Sequence, residues 1–119
     1  MNKGQLARIS EDHAAFYLLS LGFEILDSNF SSAAGEIDIV TYRNGEICFI
    51  EVRGRKKNDF SLALESISDS KLEKIELTAL KYLELNNFCE DWQVCFLPLT
   101  YNEDMKVLDL GIIYNMTGP

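Results

Sequence analysis

The stretch 35–55 constrains the fold more than any other part of this chain, because two apolar-rich runs flank the dipeptide Asn44-Gly45. Asn-Gly between such runs favours a two-residue turn and hence an antiparallel hairpin. A two-residue turn sets the register. Arg43 then faces Glu46, Tyr42 faces Ile47, Val40 faces Phe49, Asp38 faces Glu51 and Glu36 faces Arg53. Side chains alternate with period two, so all of these project from one face. Asp38 and Glu51 thus stand opposite each other, at about 5 Å between Cβ atoms, and like charges in that position destabilise a sheet. A cation between them would relieve the repulsion, and oxygen-rich sites suit Mg²⁺, Mn²⁺ or Ca²⁺. The competing reading is a solvent-facing strand with an ordinary Glu36–Arg53 ion pair. The apolar Val40, Tyr42, Ile47 and Phe49 on the same face favour the border of a cleft over open water.

The remaining pattern gives the order α-β-β-β-α-β-β. Residues 2–21 read as a helix, with Leu6, Ile9, Phe16 and Tyr17 near helical spacing and Gly22 as a stop. Residues 23–30 read as a strand, followed by the hairpin. The segment 61–67 is ambiguous between a short helix and irregular chain. Ser68 or Ser70 caps the next helix, whose stripe is Leu72, Ile75, Ala79 and Leu83 and whose end is Asn86-Asn87. Residues 92–99 and 106–114 read as the last strands, joined around Asn102-Glu103-Asp104. The expected architecture is α/β: one domain over residues 1–119, with helices packed on a mixed sheet.

Glu36-x-Asp38, followed by Phe49-Ile50-Glu51-Val52-Arg53-Gly54-Arg55, resembles the YraN family of small bacterial proteins. Further blocks support the resemblance: Glu11-Asp12-x-Ala14-Ala15-x-Tyr17-Leu18, Gly22-Phe23-x-Ile25-Leu26, Asn29, and Lys71 in a helix running to Ala79 and Tyr82-Leu83. Together they cover roughly positions 4–98. The resemblance implies a restriction-endonuclease-like fold, similar in plan to archaeal Holliday-junction resolvases. In that superfamily an Asp and a Glu-x-Lys on neighbouring strands hold a divalent ion. Carried over residue by residue, it implies catalytic roles for Glu11, Asp38, Glu51 and Arg53. Glu11, Asp38 and Glu51 would be metal ligands for Mg²⁺ or Mn²⁺, with Glu36, Arg55 and Lys71 as accessory groups. It also implies a nucleic-acid ligand, DNA foremost, and a homodimer like that of similar resolvases. Three departures weaken the expectation. Arg53 stands where the family has lysine, Ser31-Ser32-Ala33-Ala34 replaces an arginine-bearing stretch, and Gln93 occupies a position usually held by Asp.

Composition bounds these expectations. A chain of 119 residues with 47% apolar and 25% charged residues is globular and large enough for a core. It shows neither an apolar run of membrane-span length nor a signal-peptide stretch at its start. Cys48, Cys89 and Cys95 are odd in number and lack zinc-site spacing, which reads as reduced thiols of a cytoplasmic protein. Eleven basic and nineteen acidic residues give a net charge of −8. That opposes nucleic-acid binding, whose affinity comes largely from neutralised phosphates. The only basic cluster, Arg53, Arg55, Lys56 and Lys57, abuts the carboxylate pair, although short charge runs are commonly solvated loops.

Two function classes follow. One is metal-assisted phosphodiester hydrolysis by a nuclease, weakened because Arg53 replaces lysine. Arginine supplies positive charge and a bidentate grip on phosphate but cannot accept a proton. The other is a non-catalytic descendant of the nuclease fold that binds a protein partner.

Overall fold

The computed structural model describes residues 1–57 and 67–116. Its elements are α1 (Lys3–Ser20), β1 (Glu24–Ser31), β2 (Glu36–Arg43), β3 (Glu46–Lys56), α2 (Asp69–Leu85), β4 (Asp91–Tyr101) and β5 (Val107–Leu110). The order is the expected one. One five-stranded sheet runs β1-β2-β3-β4-β5. β3 and β4 are parallel and every other neighbouring pair is antiparallel. A parallel pair needs a crossover, and the chain between β3 and β4, which contains α2, supplies it. The ambiguous segment 61–67 falls outside the described residues except for Ile67.

The two helices cover opposite faces of the sheet. Ala14 and Leu18 of α1 pack with Ile39, Cys48, Ile50, Val52, Cys95 and Leu97. Ile75, Ala79, Tyr82 and Leu83 of α2 pack with Ile37, Val40, Ile47, Phe49 and Val94. The central strand β3 therefore feeds both cores, with even positions toward α1 and odd positions toward α2. Cys48 and Cys95 are buried, Cys89 is exposed, and all three are free. No helix among the described residues is long and apolar enough to cross a membrane.

The hairpin forms as its turn residues dictate. Asn44 and Gly45 both take positive φ, 53° and 79°, and the ladder runs from Arg43–Glu46 to Ile39–Ile50 in the expected register. There it ends. β2 continues against β1 through Phe30–Ile37 and Ser31–Glu36, so Glu36 does not face Arg53. Ile37 belongs to the α2-side core and Ile39 to the α1-side core, so simple alternation breaks at Asp38. The Asp38 carboxylate replaces part of the missing ladder: its Oδ2 accepts the Val52 N–H at 2.8 Å.

Two other expectations change. Phe16 is 74% exposed, and the buried stripe of α1 is Ser10, Ala14 and Leu18, with Leu6, Ile9 and Tyr17 at its margin. Small residues lead this stripe because α1 lies almost on the β3 backbone. A Cβ on Gly54 would fall 1.8 Å from Ser10 Oγ and 2.8 Å from Ser10 Cβ. The last strand is also shorter than 106–114. It covers Val107–Leu110, and Ile113 adds only an isolated bridge to Phe96.

Because rotating the Ser10 hydroxyl cannot clear its Cβ, Gly54→Ala must push α1 away from β3. The expected loss is about 1–3 kcal/mol, the usual cost of overpacking, read from urea unfolding midpoints. An unchanged midpoint would show that the helix is not seated this closely.

Candidate functional site

The splayed end of the β2–β3 hairpin collects acids from three elements. Asp38 sits where β2 leaves β3. Glu51 follows the last residue of β3 that pairs with β2 and is only 7% exposed. Glu11 comes from α1, one residue beyond Ser10, so the close approach at Gly54 carries it to the hairpin. Asp38 stands beside both glutamates, close enough to raise the pKa of each.

Electrostatics follow from that crowding. Burial, then the adjacent Asp38 charge and hydrogen bond, push Glu11 up to about 7, with Glu36 and Asp12 adding to the rise. Burial, then the hydrogen bond and charge of Asp38, push Glu51 up to about 8 against the pull of Lys71 and Arg53. Asn29 bridges the outer edge. With its amide turned toward the acceptors around it, the nitrogen donates to Glu11 Oε1 at 3.0 Å and to Glu36 Oε1 at 3.2 Å. Asn29 holds φ at 55°, a left-handed conformation that asparagine tolerates better than most residues. The sequence marked Asn29 only as part of the family resemblance. Its left-handed backbone carries no one-residue signature that would have placed it in the site.

The cations divide by position. Arg53 shares the α2-side face with Glu51, two residues on, and pairs across the sheet with Pro98. Its Nε is buried and makes no hydrogen bond. Lys71 Nζ lies 3.7 Å from Glu51 Oε2, reaching it from the start of α2. Arg55, half-buried, continues the same face and pairs with Thr100. Beyond it, Lys56 and Lys57 line a cleft of about 550 Å³ together with Asn102, Glu103 and Asp104. None of the carboxylate-site residues lines that cleft. Glu36, exposed at its neighbouring position on β2, reaches the site through Asn29 rather than through Arg53.

The structure thus brings Glu11, Asp38, Glu51, Arg53, Lys71 and Glu36 to one end of the hairpin. Among the described residues, no three acidic, His or Cys groups are arranged so as to hold a metal ion. The donor set fits a hard cation in its chemistry, since carboxylate oxygens are what Mg²⁺ and Mn²⁺ take. Holding an ion there requires Glu11 and Glu51 in their ionised forms, against the upward push that burial and Asp38 give their pKa values.

His13 lies on the same helix but serves α1 packing. Its Nδ1 is 2.7 Å from the hydroxyl of Tyr101, a wholly buried residue of β4. This contact helps to anchor the helix segment that carries Glu11.

Raised carboxyl values have a defined consequence for stability. The two glutamates titrate near 4.5 when unfolded and near 7 and 8 when folded. Their contribution is therefore complete below about 4.5 and is lost as pH rises through 7 and 8. In EDTA, the melting temperature should fall between pH 5 and pH 8. Asp38→Asn keeps an oxygen for the Val52 N–H but removes the charge, so its profile should be flatter. Calorimetry of both proteins checks this, and identical slopes would remove Asp38 as the source.

The chain has many relatives in sequence. The family described as "Uncharacterised protein family UPF0102" matches residues 10–107. A UPF0102 protein of Sulfurihydrogenibium sp. is 42% identical over 87 residues, covering 73% of this chain and 76% of the relative. One from Clostridium novyi is 41% identical over 100 residues, covering 83% of each chain. One from Brachyspira hyodysenteriae is 34% identical over 115 residues, covering 91% of this chain and 95% of the relative. The matched span includes every residue of the carboxylate site, and the chain belongs to the uncharacterised family UPF0102.

Proposed function

We propose that this protein is a metal-dependent nuclease of restriction-endonuclease-like type, which binds nucleic acid, DNA foremost, and hydrolyses phosphodiester bonds. The observation that supports it best is the meeting of Glu11, Asp38 and Glu51, from three separate elements, at the one place where the hairpin comes apart. A structural role alone gives little reason to bury Glu51 beside a second carboxylate, since burial of like charges costs stability. Asp38 and Glu51, with Glu11, are the residues that would hold Mg²⁺ or Mn²⁺. A divalent ion bound there lowers the pKa of its water and polarises a phosphoryl oxygen. The protein's own part is to fix the two strand carboxylates through the Val52 N–H and the β3 backbone. It also keeps cationic side chains on the α2 face beside Glu51, where a phosphate oxygen has to be accommodated.

A specific observation favours the second reading, a non-catalytic module that binds a protein partner. The chain carries a net charge of −8, and Leu77, Leu80 and Leu85 of α2 are exposed.

The two readings separate on metal. With Mn²⁺ near a hundred times its dissociation constant, the native state gains about 2.7 kcal/mol, so melting should rise by several degrees. Asp38→Asn and Glu51→Gln should lose that response. Wild-type protein should then nick labelled branched or single-stranded DNA in Mg²⁺ or Mn²⁺ at low salt, and Asp38→Asn should not. An equal Mn²⁺ response in all three proteins would move the metal elsewhere. No response, with no DNA binding, would leave the partner-binding reading.

A further inference from the structure

We infer that Lys71 of α2, rather than Arg53 of β3, supplies the cation that meets the scissile phosphate at the carboxylate site. The inference rests on the phosphodiester reading above and names a substrate-contacting residue for it.

Position on β3 favours Arg53, but its surroundings do not. A guanidinium stabilises phosphate best as a fork with its N–H groups directed at two oxygens. Arg53 Nε is buried and unpartnered, so the side-on fork that uses Nε is closed off inside the protein and only the terminal Nη pair is left. Among the described residues, Arg53 makes no ion-pair contact with Glu51 within 4.0 Å, whereas Lys71 does.

Lys71 has the complementary properties. Its Nζ is 3.7 Å from Glu51 Oε2, and its side chain is 41% exposed where that of Glu51 is 8% exposed. The ammonium therefore spans the boundary between the buried acid and the solvent from which a substrate arrives. An ammonium carries three donors, and a contact of 3.7 Å is too long to be a hydrogen bond that commits one of them. The base of the side chain is fixed. Lys71 N–H donates to Ser68 Oγ at 3.1 Å, the capping bond that orders the first turn of α2. Lys71 is thus a flexible point charge on a rigid mount.

In the reaction this assigns, a water oxygen forms a bond to phosphorus and the bond from phosphorus to the leaving oxygen breaks. The proton lost by water goes to solvent, and solvent protonates the leaving oxygen. Lys71 Nζ donates to a non-bridging phosphoryl oxygen and offsets the negative charge that accumulates there. No proton is transferred to or from Lys71.

The test compares Lys71→Met, Lys71→Arg and Arg53→Met with the wild type. Each is assayed for nicking of a labelled branched DNA in Mn²⁺ at low salt, and for the Mn²⁺ shift in melting temperature. Lys71→Met should lose about 100-fold or more in rate, the scale on which a charge-stabilising donor acts. Its Mn²⁺ shift should be retained or larger, because a cation competing for Glu51 has gone. Lys71→Arg should recover part of the rate, and Arg53→Met should lose less than tenfold. Lys71→Met cleaving within about threefold of wild type, or Arg53→Met being the more damaged protein, would overturn the inference while leaving the nuclease reading intact. Loss of the Mn²⁺ shift along with cleavage in Lys71→Met would overturn it too, by showing that Lys71 only holds Glu51 in place. A wild type that neither binds nor nicks the DNA would instead remove the reading on which the inference stands.

Discussion

Everything at this site depends on one substituted hydrogen bond. β2 and β3 pair normally up to Ile39–Ile50, and then the Asp38 side chain, not a β2 carbonyl, accepts the Val52 N–H. A buried backbone donor must be satisfied, so the strands can part only if some acceptor follows them. A carboxylate does this at a distance that two main chains in register cannot. The parting makes room along the β2 edge of β3, and it leaves Glu51 buried, paired with Phe96 of β4 but with no partner on β2. Fork and acid site are the same feature.

The helices exploit that room from opposite faces. α1 approaches β3 more closely than an ordinary helix can, because Gly54 has no side chain and Ser10 is small. Glu11, the next residue, is thereby carried to the edge of the fork. α2 stays on the other face and contributes from its first turn, where the Ser68 cap sets Lys71 within reach of Glu51. The acids thus come from β2, β3 and α1, and the nearest cation comes from α2. No pair of neighbouring elements contains the site, so any loosening of helix against sheet dismantles it before the core is lost.

That geometry explains what could be read from the chain and what could not. Asn44-Gly45 specifies its own backbone, so the turn, the register and the pairing of Val40 with Phe49 were legible in a few residues. The same extrapolation failed at Glu36–Arg53, because register propagates only while both strands stay paired, and Asp38 ends the pairing. Phe16 was misplaced for a related reason. Hydrophobicity suggests the core, but the space between α1 and β3 admits only Ser10 and Ala14. Leu18 fills the wider end. Lys71 lies twenty positions from Glu51 in the chain, and no local pattern announces that the α2 cap brings them together. The extent of β5 was illegible because apolar residues such as Leu108 and Ile113 form no sustained ladder there.

The strongest physical objection to a nuclease, the net charge of −8, weakens once charge is placed in space. Seven basic and nine acidic residues precede Phe60, and four and ten follow it. The basic residues of the first part concentrate at the end of β3, as Arg53, Arg55, Lys56 and Lys57, and Lys71 from the second part joins them. Glu46, Glu90 and Asp91 lie at the opposite end of the β3–β4 pair. Glu103 and Asp104 share the cleft of Lys56 and Lys57, so the cations left facing the fork are Arg53 and Lys71, and charges more than roughly 8 Å away are screened at physiological salt. Burial and Asp38 push Glu11 up to about 7 and Glu51 up to about 8, so the site presents less negative charge near neutral pH than its formula suggests. Net charge limits how strongly such a chain can hold a polyanion along its length. The proposed phosphate contact asks only for local charge, at the place where Lys71 meets Glu51.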